Sequence, residues 1–414
     1  MKHLYNFGIR CYTTAIAIAA LTNHKAKLWH NGRKGLIEDI EQRLSTRCAK
    51  QRVWIHVASL GEFEQARPII EKIRELNIDT EIVVTFFSPS GYEIRKGYAL
   101  VDEIFYLPAD TPRNAKRFID AVNPTIAIFI KYEFWLNYLA ELKSRKIATY
   151  LASAIFREES IFFKPWGKIW CKALSTFSTI FVQNDDSVRL LKKLGYDNVV
   201  VAGDTRFDRV AAIAKNGKHV PIIEQFIGTK RAFVAGSTWR KDEELLVDLA
   251  NDNPEIKFII VPHEIDKAHI QNLLDDCGGR AICYTECSGT TNYDNYQILI
   301  LNTIGLLSTV YRYATWAYIG GGFGMGIHNT LEAAIYGLPI AFGPRYKKFN
   351  EAQEMIACGV AKSVSTYKEL SEWFTPLRDD AELWQQKHTA AQEYTKKNIG
   401  ATDLIIEEIF GEHR

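Results

Sequence analysis

The chain has 414 residues, 47% hydrophobic and 24% charged. That composition excludes disorder, a collagen-like repeat and a polytopic membrane protein, and at roughly 150 residues per domain it favours two domains. Lys and Arg number 51 against 49 Asp and Glu, a balance too even to argue for nucleic acid as a partner.

The charge is concentrated at one end. Residues 1–50 carry nine Lys or Arg against three acids, around the apolar run Cys11–Leu21. At 1.5 Å per residue the run covers about 17 Å, against the ~30 Å of a hydrocarbon core. Leu21-Thr-Asn-His-Lys-Ala-Lys27 is a poor signal-peptidase site. The expectation is an uncleaved segment, residues 1–35, lying on or dipping into the membrane surface, with Lys25, Lys27, Arg33 and Lys34 meeting anionic head groups. By the positive-inside tendency the body then lies on the cytoplasmic side. Seven cysteines, odd in number and mostly scattered, suit a reducing compartment. Cys277, Cys283 and Cys287 lack the paired spacing of a zinc site.

Beyond residue 50, apolar runs of strand length alternate with helical stretches, the pattern of a parallel α/β sheet. The predicted strands are 53–58, 81–86, 103–107, 125–130, 149–152 and 179–183, then 231–235, 257–261, 297–301, 315–319 and 339–342. The polar stretch 211–221 reads as a linker. Residues 380–410 read as two helices punctuated by Asn398 and Gly400. The predicted organisation is 1–35 membrane-associated, 36–212 a first Rossmann-like domain, 213–385 a second, and 386–414 helices packing back onto the first. Two such doubly wound domains facing across a cleft would place their strand-end turns beside it.

Those turns hold the candidate chemistry. After the first strand, Ser59-Leu-Gly61-Glu62 has the spacing of a capping box, which would make Glu62 structural. Pro68 argues for a helix starting later, which would leave Glu62 in the turn as a general base. Lys131-Tyr-Glu133-Phe-Trp135 follows the fourth strand and sets a cation and an acid among aromatics. Arg206, in Gly203-Asp-Thr-Arg-Phe-Asp208, and His263-Glu264 stand at further strand edges. Ser237 and Thr238 follow a buried strand and precede an acidic helix, so Ser237 reads as an N-cap or an anion contact.

The most informative stretch is Gly320-Gly-Gly322-Phe-Gly324-Met-Gly326-Ile-His328-Asn329-Thr-Leu-Glu332. A strand enters a glycine loop, a short helix is expected from His328 or Asn329, and the amides would cradle a phosphate. The acid that marks an NAD site about 20 residues on is replaced by Ala341-Phe-Gly-Pro344. Glu332, four residues after His328, would meet ribose hydroxyls. Asp-x-Asp, Walker, nucleophile-elbow and His-Glu-x-x-His motifs are missing from the sequence. The residues therefore point to an enzyme handling a nucleotide-linked substrate without a metal.

Trp54–Glu62, Phe129–Trp135, Ser153-Ala-Ile-Phe156, Gly203–Asp208, Gly236-Ser-Thr238 and Gly326-Ile-His-Asn329 closely resemble the 3-deoxy-D-manno-octulosonic acid (Kdo) transferases, in order and over nearly the whole chain. That resemblance implies a GT-B glycosyltransferase of lipopolysaccharide biosynthesis. It would move Kdo from CMP-Kdo to a lipid A precursor with inversion, at the cytoplasmic face of the inner membrane, with CMP-Kdo as substrate and no cofactor. It implies Glu62 as catalytic base. Ser59, Gly61, Lys131, Glu133 and Arg206 fall on the acceptor and sugar side. Ser237, Thr238, His263, Gly322, Gly324, Gly326, His328, Asn329 and Glu332 fall on the nucleotide side. Three positions depart from the family pattern: His263-Glu264 stands where Arg-His is usual, Asn302–Leu307 where Asp-x-x-Gly-Glu-Leu is usual, and Ile327 where a glycine is usual. The alternative reading is a UDP-sugar-dependent GT-B transferase or epimerase.

Overall fold

The computed structural model describes residues 2–45, 47, 51–76, 78–217 and 219–411. Cys48 and Lys50, counted above, lie outside them, as do Met1 and residues 412–414 of the predicted terminal segments. The chain forms two compact units, Met1–Asp208 with Gly400–Arg414, and Arg209–Ile399. Each is built on seven parallel strands, and the architecture is GT-B.

In the first unit β1 (Arg52–Val57), β2 (Glu81–Phe86), β3 (Glu103–Tyr106), β4 (Ile126–Ile130), β5 (Ala148–Ala154), β6 (Thr179–Val182) and β7 (Val199–Val201) lie in the order β3-β2-β1-β4-β5-β6-β7. In the second, β8 (Ala232–Thr238), β9 (Lys257–Pro262), β10 (Ala281–Cys283), β11 (Ile298–Ile300), β12 (Trp316–Ile319), β13 (Ile340–Phe342) and β14 (Ala361–Ser363) lie in the order β10-β11-β9-β8-β12-β13-β14. The central strands are buried throughout, as helices on both faces of a parallel sheet require. β7, β10 and β14 were not expected from the sequence. Each is a three-residue edge strand, too short to show a hydrophobic period.

Strand order reverses between β1 and β4, and again between β8 and β12, so each sheet has one topological switch point. The two sheets carry a matching irregularity, one strand beyond the switch point in the first and at the switch point in the second. Register shifts between Leu151 and Ala154 in β5, and between Gly236 and Thr238 in β8. Ser153 (φ 53°) and Ser237 (φ 55°) sit in these bulges with left-handed backbone.

Several local expectations are corrected. Residues 211–216 belong to helix Arg206–Asn216, so most of the predicted linker is helical. The C-terminal helices divide between the units. Helix Ala381–Asn398 falls in the second, whereas Ala401–Phe410 packs Ile405, Ile406, Ile409 and Phe410 into the first unit's core. Asp208 anchors that return by accepting from the amides of Gly400 (2.6 Å) and Thr402 (2.7 Å).

Helix Lys2–Ala19 has no buried residue and exposes Leu4, Phe7 and Ile18. Polar contacts tether it: Tyr5 donates to Asp110 at 2.6 Å, and Asn137 Nδ2 donates to Asn6 Oδ1 at 2.9 Å. Among the described residues no helix is long and apolar enough to cross a membrane.

Candidate functional site

At the first switch point, helix Leu60–Glu75 begins directly after β1 with Ser59 as N-cap. The helix therefore does not start near Pro68, which is accommodated inside it. Glu62 lies in its first turn and reaches back to accept a hydrogen bond from the Ala58 amide. Ser59 makes no side-chain cap bond, so only the glutamate half of a capping box forms. Burial and the nearby Glu133 carboxylate push Glu62 up to about 7; the Ala58 amide and Lys131 oppose this. The structural and chemical readings of Glu62 are thus compatible.

Glu133 comes from the turn after β4 and is buried at the sheet edge. Its Oε2 lies 3.0 Å from His56 Nε2 and accepts from Trp135 Nε1 at 2.7 Å. His56 is wholly buried on β1 and held through Nδ1 by Thr85 Oγ1 at 2.8 Å, which in turn accepts from Trp54 Nε1. The chain Trp54–Thr85–His56–Glu133 fixes the second carboxylate in place. Lys131 joins the set on left-handed backbone (φ 65°), an unfavourable conformation for a lysine. His56 and Thr85 went unnoticed in the sequence because both are single polar residues inside apolar strands.

Arg206, a candidate for the acidic sugar, is engaged elsewhere. Its Nε and Nη2 both bond Asp204 Oδ2, at 3.0 and 2.7 Å. Burial would raise the Asp204 carboxyl, but the guanidinium outweighs it and holds the group below the usual range. Gln65 also bonds Asp204, at 3.2 Å.

At the second switch point Ser237 is not an N-cap. It occupies the β8 bulge, Trp239 is the N-cap, and the helix is Arg240–Asp252. Thr238 Oγ1 donates to Glu243 at 2.9 Å. His328 and Asn329 precede the next helix, which is only Leu331–Ala334, so His328 and Glu332 do not share a helical face. Asn329 caps this turn: its Oδ1 accepts from Leu331 N at 3.1 Å, and its Nδ2 donates to Glu332 Oε1 at 3.0 Å.

The glycine loop is closed more tightly on itself than a phosphate cradle would need. Gly324 and Gly326 amides both bond Gly321 O, and the Gly321 amide donates to Asp242 Oδ2 at 2.9 Å. Packing accounts for two of the three glycines named above. A Cβ at Gly322 would lie 2.5 Å from Gly343 Cα, and one at Gly326, whose φ is 132°, would lie 2.6 Å from Lys348 Cε. Gly324 is different: a Cβ there meets nothing nearer than 3.6 Å. Gly61 in the first unit is equally open, its nearest neighbour 4.0 Å away.

Beside the loop, three rings stack. Trp239 and His263 have centroids 4.9 Å apart, His263 and His328 4.4 Å apart. Burial and then His263 push His328 down to about 4, so it is a neutral ring near pH 7. Asp242 is the hidden organiser here. It is fully buried and also accepts from Tyr318 at 2.8 Å and the Trp239 amide at 3.0 Å. Arg345 adds a cation by donating to Gly324 O at 2.7 Å, and Lys348 donates to Met325 O. Neither basic residue was singled out from sequence, although Arg345-Tyr-Lys-Lys348 directly follows Gly343-Pro344. Among the described residues no group of three or more His, Cys, Asp or Glu could hold a metal ion.

Comparison with known proteins follows the same lines. Residues 33–209 match the family described as 3-deoxy-D-manno-octulosonic-acid transferase. The chain is 28% identical over 320 residues to the 3-deoxy-D-manno-octulosonic acid transferase of Aquifex aeolicus, covering 75% of this chain and 81% of that protein. It is 25% identical to that of Haemophilus influenzae, covering 86% of each. Among solved structures, UDP-GlcNAc 2-epimerase from Neisseria meningitidis aligns with a TM-score of 0.62 at 16% identity, covering 87% of this chain and 100% of that one. A UDP-N-acetylglucosamine 2-epimerase from Listeria monocytogenes aligns at 0.59 and 15%, covering 89% and 97%. These structural likenesses establish fold alone. Sequence motifs, switch-point chemistry and relatives agree: residues 33–209 match the Kdo transferase family, most of the chain is similar to Kdo transferases, and the chain is a glycosyltransferase.

Proposed function

We propose that the chain transfers Kdo from CMP-Kdo to a hydroxyl of a lipid A precursor, with inversion at the anomeric carbon. The observation that carries this reading is Glu62, a carboxylate at the first switch point with proton affinity raised to about 7 and a lysine within electrostatic reach. A base poised near the working pH can take the acceptor proton as the oxygen attacks. Lys131 pairs with the carboxylate of the acidic sugar. Glu133 tunes Glu62 and, held by His56 and Trp135, faces the charge that develops at the anomeric carbon.

In the second unit the ring stack of Trp239, His263 and His328 offers a face for a nucleobase. Arg345 and Lys348 supply positive charge for the single phosphate of the departing CMP, so this reading requires no cofactor or metal ion. The exposed apolar residues of helix Lys2–Ala19, with the basic residues that follow, hold the enzyme peripherally on the cytoplasmic side of the inner membrane.

The direct test is incubation with CMP-Kdo and a tetraacylated lipid A precursor, weighing the product by mass spectrometry. A mass gain of one or more Kdo units is expected. No gain, together with thermal protection by UDP and none by CMP, would end the proposal and favour a UDP-sugar enzyme.

A further inference from the structure

We propose that a cavity of about 650 Å³ in the first unit, roofed by helix Lys2–Ala19, binds the phosphate of an acidic phospholipid headgroup. Its lining includes Thr13 and Thr14 from that helix, Trp29 and Arg33 from the next helical turns, and Thr111 and Arg113 at the start of helix Pro112–Val122. The site is separate from the carboxylates of the switch point and does not depend on Kdo transfer.

Two groups in this wall, one buried and one partly buried, lack the partner that their chemistry calls for. Trp29 is 6% exposed, yet its Nε1 has no hydrogen-bond partner. A buried donor left unmet costs about 1–3 kcal/mol, so native proteins rarely keep one without a reason. Arg33 lies with its guanidinium 3.9 Å from the Trp29 ring centroid and donates to the carbonyls of Leu107, Trp29 and Phe87. Carbonyls accept its protons but do not neutralise its charge. Burial lowers its proton affinity to about 9, and the groups that act on it electrostatically are tyrosines, with no carboxylate among them. Glu38, the one acid in the lining, is bonded to Arg117 at 2.9 Å. A cavity walled by Arg33, Lys34 and Arg113, whose one acid is already paired with Arg117, fits an oxyanion.

The source of that anion follows from the roof. Helix Lys2–Ala19 buries no residue and exposes Leu4, Phe7 and Ile18, and Leu21 is exposed just beyond it. A helix with these residues sinks its apolar side to the boundary between head groups and acyl chains. That brings the cavity beneath it to the depth of lipid phosphates. A freely diffusing phosphate would have no need of this setting.

The test is flotation of the full-length protein with vesicles of phosphatidylcholine alone or with added phosphatidylglycerol. Ala17→Trp fills the cavity without changing charge, and Trp29→Phe removes the N–H together with part of the ring on which Arg33 stacks. Each is expected to lower partitioning to phosphatidylglycerol vesicles about threefold to tenfold and to leave phosphatidylcholine binding unchanged. Lys25→Ala with Lys27→Ala, which removes two exposed charges outside the lining, should cost less than Lys34→Ala with Arg113→Ala. If Trp29→Phe fails to fold, Ala17→Trp and the Lys34/Arg113 pair read the same site. The proposal is overturned if the two charge pairs cost the same, which means diffuse attraction. It is overturned equally if Ala17→Trp keeps the wild-type preference. Thermal protection by glycerol 3-phosphate or inorganic phosphate that Ala17→Trp removes, without any vesicle preference, would reassign the cavity to a soluble phosphate and also overturn the lipid assignment.

Discussion

The two switch points share a topology and hold opposite chemistry. At the first, the turns after β1 and β4 bring two carboxylates, a lysine and a buried histidine together. At the second, the turns after β8, β9 and β12 bring glycines and three stacked rings, one of them a histidine kept neutral by burial. The first can move a proton; the second can seat a flat base and a phosphate. The same doubly wound frame therefore serves either task, and the side chains after these strands decide which.

The sharpest way to break this contrast is Glu62→Gln. The amide keeps an oxygen to accept from the Ala58 amide, so helix Leu60–Glu75 should stay in place. Transfer should fall by about 10²- to 10⁴-fold, the usual worth of a positioned general base. CMP-Kdo binding by calorimetry should be unchanged. Transfer at near-normal rate would remove the base and with it the division of labour.

The next largest effect is expected in the second unit's framework. Asp242→Ala would leave Tyr318 and the amides of Gly321 and Trp239 without their common acceptor. A loss of roughly 1–3 kcal/mol of stability is expected for such buried donors, read as a lower denaturant midpoint. Gly322→Ala should cost a similar amount, because its new methyl would meet the backbone of Gly343. A silent Asp242→Ala would mean that the glycine loop does not depend on this anchor.

A pH profile sharpens the first site. Glu62 must be ionised to act as base, so kcat/KM should rise with pH through an apparent pKa near 7. Glu133→Gln removes the like charge and should move that limb to lower pH, towards the ordinary carboxylate range. Lys131→Met removes the opposing cation and should move it higher. Stability carries the same signature. Between the ordinary carboxylate range and about 7 the folded chain holds a proton that the unfolded chain has released, so this group's contribution is lost as pH rises through that window. Glu62→Gln should remove that part of the slope, and an unchanged slope would deny the perturbation.

The fold was largely legible in the sequence because central parallel strands are continuous apolar runs. The predicted 81–86 coincides with β2 (Glu81–Phe86), and the other central strands fall within three residues of their predicted ends. Edge strands and helix starts were not legible. Val199–Val201 is too short for a pattern, and the start at Leu60 was hidden by Pro68, whose cost the packing of Phe63, Ala66 and Ile69 absorbs. Of the candidate site, Glu62, Lys131 and Glu133 stood out because charge at a strand end is conspicuous. Asp242 and His56 did not, since nothing local says that a polar residue in a helix's first turn or inside a strand will organise groups distant in sequence. The glycines misled in an instructive way. Their number suggested anion binding, whereas Gly322 is explained by backbone packing, and Gly326 by its positive φ and the Lys348 and Phe349 side chains, which only three dimensions reveal.

Gly61 and Gly324 carry the smallest expected change in stability and the most specific information. Both are exposed, neither has positive φ, and added methyls would meet nothing closer than 4.0 and 3.6 Å. The fold therefore does not require glycine at either position, and in the first turn of a helix alanine should stabilise slightly, by no more than about 1 kcal/mol. Any loss of function on substitution must then come from space that a substrate occupies. Gly61→Ala should raise KM for the acceptor and leave the donor KM alone, while Gly324→Ala should do the reverse. If both act on the same substrate, the assignment of acceptor to one switch point and nucleotide to the other is wrong. If neither changes either constant, the loops keep their glycines for reasons outside substrate binding, and the phosphate is held by Arg345 and Lys348 without help from the glycine loop.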